Sequence, residues 1–474
     1  TDVILITGDI VTDTAGDSLV VGNNATVQLG ADNADISIDS DTAGSTLNLA
    51  TADDTAASGA TIAITVGAAQ LATNIATVNL DATIGTFTAT SVVLATTGST
   101  MNVIGTKNVT VGDFTGVTYN GANNSGVQVI NTAASTTSIT TGSGGDTVTA
   151  DIATTITVST GTGIDTINMN ANTLASSTAN AGGGGDTINV ANVAAFVLLG
   201  GSGNDTIALG TTDSDAIIDG GDDTDTVSFG GATTDFTTGG ANDNFKMLNI
   251  ENLTLATNAA LTFSSTQFAL DNTYTATGTA AATDTITIAG TAASETINAS
   301  GVTLTNVGMT LNGAGGNDNI TGTSSADTIS GGAGADILTG AGGVDTLSYT
   351  GGASTSDTGT QTGIVVNLGL TAVTSTTIST ALASMGNGFT QAGVNSVAAN
   401  EAHYLYNSSS AAVSANADTL SGFENVVGSN GIDYLVGTAN ANTFTGGTGA
   451  DYIIGGGGAD IFTVTTGDTG ITLV

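Results

Sequence analysis

Between residues 313 and 348 an apolar residue recurs every nine positions, at Ile320, Ile329, Leu338 and Leu347. Each follows a glycine-rich turn and is flanked mainly by polar residues. Glycine permits the positive backbone angles of a tight turn, and a triplet with one apolar residue in the middle is the shortest strand that still buries a side chain. The pattern therefore predicts one turn and one short strand in every nine residues, stacked as a β-solenoid.

An aspartate precedes each of these apolar residues by two positions, at Asp318, Asp327, Asp336 and Asp345. Since two nine-residue units make one coil of about eighteen residues, we expect Asp318 to stack on Asp336 and Asp327 on Asp345. Parallel strands lie about 4.8 Å apart, and two bare carboxylates at that distance repel by roughly 1 kcal/mol in water. The stacked acids therefore need a cation. Carboxylates and turn carbonyls offer only oxygen ligands, which calcium prefers.

A second nine-residue series lies near the end of the chain. The residues that correspond to the aspartates of the first series are Asp433, Asn442, Asp451 and Asp460, and we expect Asp433 to pair with Asp451. Asn442 keeps an oxygen ligand but lacks the charge, so the sequence predicts a weaker ion site there.

A third series has a longer period. Asp146, Asp165, Asp186, Asp205 and Asp225 are 19 to 21 residues apart, which predicts one motif per coil and a ladder of ion sites along one edge only. Asp215, midway between the last two, is the single candidate for an ion on the opposite edge.

The nine-residue units from Gly313 to Ser348 read GAGGNDNIT, GTSSADTIS, GGAGADILT and GAGGVDTLS. They resemble the calcium-binding RTX repeat family of secreted bacterial proteins. The resemblance implies a parallel β-roll with calcium ions held between successive turns. It also implies secretion through an uncleaved carboxy-terminal signal, and a short tail, Thr465–Val474, follows the last repeat. Because the chain begins at Thr1, we expect a processed chain or a fragment.

The remaining patterns complete an all-β prediction, a right-handed parallel β-solenoid or β-roll with RTX-like blocks. Short β-branched runs predict strands at 46–49, 61–66, 76–80, 91–94 and 108–111. The predicted segments are a degenerate solenoid at 1–140, an RTX-like roll with coils of about 20 residues at 141–230, a non-RTX β segment with a wider, aromatic core at 231–289, an RTX roll at 290–350, a strand plus an inserted contact segment at 351–422, an RTX roll at 423–464 and a tail at 465–474.

Composition excludes several classes of partner. The 474 residues include only two basic residues, no Cys and no Pro, and the formal net charge is −39. This charge excludes nucleic acid as a partner and disfavours an anionic membrane surface. No apolar run approaches the eighteen residues that a transmembrane helix requires. The aromatic content of 4% would leave one large globular core underfilled, whereas a thin solenoid core of Ile, Val, Leu, Thr and Ala suits it.

The sequence offers little for catalysis, and we predict that the protein is not an enzyme. His403 is the only histidine, with Glu401 nearby, and no GxSxG motif surrounds it. A polysaccharide lyase needs a basic residue as proton acceptor, but Lys107 and Lys246 are the only two and are far apart in sequence. Paired aspartates could mimic a glycosidase, although calcium ligation explains them better. No apolar pore-forming segment supports a cytolysin.

The interspersed repeat blocks and the Thr-, Ala-, Gly- and Asn-rich composition are similar to bacterial surface-layer proteins. The first hypothesis is therefore a secreted, calcium-dependent, self-assembling subunit of a cell-surface layer or sheath. The alternative is an RTX adhesin stalk in which the insert at 371–420 binds a sugar, such as a surface polysaccharide, or a surface. This insert has a predicted helix around 378–385 and an aromatic cluster with Tyr404 and Tyr406. We expect it to lie outside the roll as a contact element.

Overall fold

The structure is a computed structural model of the chain. It describes residues 3–6, 19–21, 25–29, 38–40, 45–51, 75–83, 85–94, 98–132, 136–151, 155–170, 176–191, 196–210, 216–231, 233–237, 245–269, 273–280, 283–350, 361–384, 396–406, 417–465 and 468–474. The chain forms two compact units. Unit 1 comprises residues 1–231 and 238–254, and unit 2 comprises residues 232–237 and 255–474.

Unit 1 is a parallel β-solenoid built from two long sheets, and a separate pair of strands lies near its start. Sheet 1 contains, in spatial order, Val3–Ile6, Ala25–Leu29, Ser45–Thr51, Ile75–Ala82, Thr100–Gly105, Thr118–Asn124, Ser138–Thr140, Thr157–Ser159, Ser177–Gly183, Phe196–Ser202, Ile217–Asp222 and Lys246–Leu248. Sheet 2 contains Phe87–Val93, Val109–Thr115, Gln128–Thr132, Thr147–Ala150, Thr166–Met169, Thr187–Val190, Thr206–Leu209, Thr226–Phe229 and Asn252–Leu255. The separate pair is Leu19–Val21 with Ile38–Ser40.

Strand register places like residues above one another in unit 1. In sheet 2, Ile167 pairs with Ile188 and Ile188 with Ile207, and all three side chains are buried. The alternation of buried and half-buried residues along each strand produces this column, because successive side chains of a strand point to opposite faces. Burying one such side chain contributes about 1.5–3 kcal/mol, so a thin core still stabilises every coil.

Polar side chains stack in the same way on sheet 1. The amide of Asn79 donates to Asn48 and the amide of Asn102 to Asn79, each over 2.9 Å, and Asn120 continues the row at 3.4 Å. This row supplies hydrogen bonds between coils of a region that has no nine-residue motif. Four of the strands predicted in this region are present, and the fifth, at 61–66, lies outside the described residues.

Unit 2 is also a solenoid of two sheets, and it contains a further parallel pair of strands, Thr275–Thr277 and Thr303–Thr305. Sheet 3 contains Thr233–Asp235, Ala260–Ser264, Asp284–Ala289, Val307–Asn312, Asp327–Ser330, Thr346–Ser348, Asn425–Val427, Thr443–Thr445 and Ile461–Thr463. Sheet 4 contains Thr296–Asn298, Asn319–Thr321, Ile337–Thr339, Ala417–Ser421, Glu401–Tyr406, Gln361–Asn367, Tyr434–Val436, Gly449–Ile454 and Asp468–Leu473.

The two repeat rhythms correspond to two arrangements of turns. In the central block, strands that follow successive turns alternate between sheet 4 and sheet 3, so one coil contains two motifs. In unit 1 the strands after Asp146, Asp165, Asp186, Asp205 and Asp225 all belong to sheet 2, so one coil contains one motif. Both periods agree with the sequence prediction, as does the all-β fold class.

Aromatic residues fill the start of unit 2. Phe236 and Phe263 stack with ring centroids 4.9 Å apart, and Phe268 meets Tyr274 edge to face at 6.3 Å. Phe268 ends the short helix Ser265–Phe268, which begins with a capping box between Ser264 and Gln267. All four aromatic side chains are buried, and the wider core of this segment stays a prediction.

The expectation that the insert at 371–420 lies outside the roll is wrong for much of its described part. Glu401–Tyr406 is a strand of sheet 4 and runs antiparallel to both of its neighbours, Gln361–Asn367 and Ala417–Ser421. Its apolar side chains Ala402 and Leu405 are buried, so this segment pairs with the sheet because doing so buries apolar surface and satisfies its backbone.

A helix, Ser375–Ser384, accompanies this strand. It packs its buried residue Ile378 into a cluster with Val365, Val397, Leu405 and Tyr434. The helix agrees with the predicted one, and the cluster attaches it to sheet 4. Among the described residues, no helix is long and apolar enough to cross a membrane.

Candidate metal centre: columns of buried acids

Most turns that end in an acid direct that side chain into the solenoid, whereas Asp460 is only half-buried. Asp318, Asp327, Asp336 and Asp345 are each at most 2% exposed, as are Asp146 to Asp225 in unit 1. The cause is strand alternation, because the acid stands two positions before the buried apolar residue and so shares its inward direction.

In unit 1 the acids form one column joined by hydrogen bonds. The backbone N–H of Asp146 donates to Oδ1 of Asp165 at 2.6 Å, and that of Asp165 donates to Asp186 at 2.7 Å. The same contact links Asp186 to Asp205 and Asp205 to Asp225, each at 2.8 Å. The five aspartates therefore stand on one edge, as their spacing predicted. Asp215 lies outside the described residues, so its second-edge site stays a prediction.

In unit 2 the same contact joins acids eighteen residues apart on two edges. The N–H of Asp318 donates to Asp336 at 2.8 Å, and the N–H of Asp327 to Asp345 at 3.0 Å. The later block repeats it from Asp433 to Asp451 at 3.1 Å, and from Asn442 to Asp460 at 3.0 Å. All stacking pairs predicted from the nine-residue period are thus confirmed as neighbours.

The second carboxylate oxygen points toward the first glycine of its own turn. A β-carbon added at Gly313 would stand 2.3 Å from Oδ2 of Asp318 and 2.6 Å from the carbonyl oxygen of Gly331. A β-carbon at Gly200 would stand 2.4 Å from Asp205 and 2.5 Å from the carbonyl of Gly220. A carboxylate oxygen and a carbonyl oxygen of the next coil thus converge on a face where no side chain fits.

Many of these second oxygens lack a hydrogen-bond donor. Within the described residues, no partner contacts the buried Oδ2 atoms of Asp146, Asp165, Asp186, Asp205, Asp225, Asp318, Asp336 and Asp345. A buried carboxylate oxygen without a donor is costly, and a native fold retains such groups where an ion or a function compensates.

The pKa values of these acids are raised by the same burial. Burial raises the pKa of Asp318 to about 7, and the charges of Asp336 and Glu295 add to the effect. Burial also raises the pKa of Asp165 to about 7 and that of Asp205 to about 6. In each case the N–H of the preceding coil lowers the pKa but does not cancel the burial. Without a cation, burial therefore favours the protonated, neutral form of these carboxyl groups.

The donors fit calcium. The converging atoms are carboxylate and carbonyl oxygens, which are the ligands of a hard cation, and the described residues contain no group of three or more His, Cys, Asp or Glu side chains that would form a side-chain metal cage. In the central block, Asp318 and Asp336 would hold ions on one edge and Asp345 on the other, each with turn carbonyls such as that of Gly331 beside Asp318. Calcium would supply the positive charge that the columns lack.

Sequence reasoning missed five acids that make the same kind of backbone contact, and four of them, Glu251, Glu295, Asp418 and Glu424, extend the columns. Glu251 accepts from the N–H of Asp225, Asp418 from that of Asp336, and Glu424 from that of Asp345. Glu295 donates its N–H to Asp318, and Asp284 accepts from the N–H of Ala259. These acids lack the full glycine turn, but each stands two positions before a buried apolar residue. That spacing alone would have found them.

Asp418 is the most perturbed of these acids. Burial, followed by the charge of Asp336, raises its pKa to about 8, while the hydroxyl of Tyr349 donates to its Oδ2 at 2.7 Å.

The only histidine of the chain and the glutamate near it lie on the strand Glu401–Tyr406. His403 is 7% exposed, and its Nε2 is 3.4 Å from Oε2 of Glu401.

Comparison with known families follows the repeat blocks. The family model of the RTX calcium-binding nonapeptide repeat (4 copies) matches residues 312–347 and 427–462. No curated protein matches the chain. The two matched segments contain the turns with nine-residue spacing, from Asp318 to Asp345 and from Asp433 to Asp460. These matches support the RTX repeat family for both blocks, and calcium is the ion that repeats of this family bind.

Proposed function

We propose that the chain is a calcium-dependent structural protein that is secreted and assembles with copies of itself on the cell surface, as a surface-layer or sheath subunit. The observation that carries the calcium dependence is the buried carboxylate column with unpartnered oxygens. Millimolar calcium outside cells can fill sites of this kind. The RTX similarity and the scarcity of lysine and arginine both suit an extracellular protein.

The proposal of self-assembly rests on the charge and the exposed apolar side chains of the described surface. Both lysines are exposed, and a chain of net charge −39 has almost no basic side chain with which a second copy could pair. Bridging cations are therefore the simplest means of joining two such surfaces. Apolar side chains also reach solvent on turns and strands, with Ile164 77% and Val344 57% exposed. Such residues could pack between copies once the charge is neutralised.

The adhesin alternative loses one of its supports. Tyr404 was expected to contribute to a sugar-binding cluster, but it is buried and its hydroxyl donates to the carbonyl of Gly332. A second support remains, because Leu370, just before the insert, is 86% exposed. We also infer that the protein is not an enzyme, since its only histidine is packed in a strand.

Electron microscopy of the purified chain with millimolar calcium, and with EGTA in its place, tests the proposal. We expect ordered assemblies with calcium and dispersed particles without it. Light scattering from a monomer at every calcium concentration up to about 10 mM would contradict self-assembly and favour the adhesin. Circular dichroism that is identical in EGTA and calcium would contradict the calcium dependence itself.

A further inference from the structure

Most of the described acid-ending turns fall into two classes that differ at one residue. We number each turn 1 to 6 so that the acid is position 6. In what we call capped turns, position 2 is Thr or Ser and its backbone φ is not positive. In what we call open turns, position 2 is Gly or Ala with a positive φ. The turn of Asp146, whose Gly142 does not have a positive φ, belongs to neither class.

Capped turns satisfy their own acid. In the turn that ends at Asp327, the N–H of Thr323 donates to Oδ2 at 2.6 Å, and its hydroxyl lies 3.0 Å from both carboxylate oxygens. Ser429 does the same for Asp433, with its N–H and hydroxyl each at 2.7 Å.

The cap does not depend on the acid's charge. Thr438 donates from its N–H to Oδ1 of Asn442 at 2.9 Å and from its hydroxyl at 3.2 Å. Thr291 holds Glu295 through its N–H at 2.9 Å. Four turns with different acids or amides thus share one arrangement.

Open turns leave one oxygen of the acid, Oδ2, without a donor. The backbone φ is +65° at Ala314 and +76° at Ala341, and +89° at Gly332. Among the described residues, Oδ2 has no hydrogen-bond partner in any of the acids that end these three turns, Asp318, Asp345 and Asp336. In unit 1 the turns with Gly161, Gly182, Gly201 and Gly221 at position 2 have the same positive φ and the same unpartnered oxygen.

The chemistry of position 2 explains the division. A residue with a β-branched or hydroxyl side chain adopts negative φ. In this conformation its N–H and hydroxyl reach the acid four residues later in the chain. An oxygen that accepts two such donors is satisfied without a cation. A residue with positive φ does not direct its N–H to the acid, and the Oδ2 atom of that acid then lacks a donor.

We propose that position 2 decides which turns bind calcium. Open turns take the ion, and capped turns use the hydroxyl and N–H in its place. This inference rests on the proposed calcium binding and deepens it, because it assigns Asp327, Asp433 and Asn442 to turns that stay folded without an ion. Each RTX-like block of unit 2 then contains at least one turn that is ordered before calcium arrives.

Ala341→Thr tests the inference by giving the open turn of Asp345 the same position 2 residue as its capped neighbour, the turn of Asp327. Calcium per chain is measured by elemental analysis after equilibrium dialysis, and thermal unfolding is followed in EGTA. We expect about one calcium ion fewer per chain than in the wild type and a higher melting temperature in EGTA. Ala341→Val is the matched control, because valine has the shape of threonine without the donor. It should not raise the melting temperature in EGTA.

Thr323→Gly is the reverse test and covers the case in which Ala341→Thr fails to fold. It opens the capped turn, so about one additional calcium ion per chain is expected, with a lower melting temperature in EGTA. If the wild type binds calcium but Ala341→Thr and Thr323→Gly bind the same number of ions as it does, the assignment by position 2 is overturned. If the wild type binds none, the proposed function fails instead.

Discussion

Gly331→Ala is the most direct perturbation of a carboxylate column. A β-carbon at this position would stand 2.2 Å from Oδ2 of Asp336, 2.8 Å from its Cγ and 2.9 Å from its Cβ. Real β-carbons do not approach other atoms so closely, so the carboxylate must move. Its Oδ1 accepts the 2.8 Å hydrogen bond from the N–H of Asp318, and a displaced carboxylate loses that bond.

The cost combines two effects. Overpacking a well-packed site costs about 1–3 kcal/mol, and losing a hydrogen bond to a charged acceptor costs about 1.5–3 kcal/mol. We therefore expect the free energy of unfolding of unit 2 to fall by roughly 3–5 kcal/mol. A unit of this size has on the order of 5–15 kcal/mol in total, so the loss is large. The ion site of Asp336 should weaken as well.

Gly315→Ala is the matched control from the same block. The nearest atom to its added β-carbon is 3.7 Å away, an ordinary contact. With space available, the substitution should be neutral or stabilise by about 0.4–1 kcal/mol, since alanine restricts the unfolded chain. Urea unfolding in saturating calcium, followed by circular dichroism, compares the two variants. Equal midpoints would refute the argument that the acid occupies the place of a side chain.

Three further outcomes are expected. In EGTA, residues 313–348 should lose hydrogen-exchange protection before 142–228, because acids on both edges repel more per coil; the reverse order would show that the two-edge argument fails. Also in EGTA, stability should fall as pH rises from about 4 to 8. The folded pKa values of about 7 for Asp165 and about 6 for Asp205 exceed the unfolded value, so the folded state binds more protons than the unfolded state. A melting temperature that rises over this pH range would contradict this expectation. Ile378→Ala should lower the free energy of unfolding by about 2–5 kcal/mol, because Ile378 is buried in the cluster on sheet 4. Thr380 is exposed on the same helix, and Thr380→Ala should change the free energy by less than about 0.5 kcal/mol. Equal effects of the two substitutions would show that the helix is not attached through Ile378.

The sequence predicted the repeating part of the structure well because that part is set by local spacing. The stack of Asp318 on Asp336 follows from an eighteen-residue coil, and the single edge of Asp146 to Asp225 follows from a coil of 19 to 21 residues. The inward direction of the acids was also within reach, since alternation from a buried residue such as Ile320 determines it.

Sequence spacing could not predict the pairing of Glu401–Tyr406. In the sheet, this strand lies between Gln361–Asn367, which precedes it in the chain, and Ala417–Ser421, which follows it. Its antiparallel register depends on burial against these two strands rather than on a repeat. The same limit applies to Asp418, which takes its place in the column below Asp336 although 82 residues separate them.

The antiparallel strand has a kinetic consequence. A solenoid gains order by nucleation in one coil and propagation to the next, since each repeat contacts only its neighbours. On the edge of sheet 4, two strands separate Asp418 from Asp433. On the edge of sheet 3, Glu424 meets Asn442 through its backbone carbonyl rather than its carboxylate. Propagation driven by one ion after another would halt at this boundary from either side, and each repeat block would have to nucleate on its own.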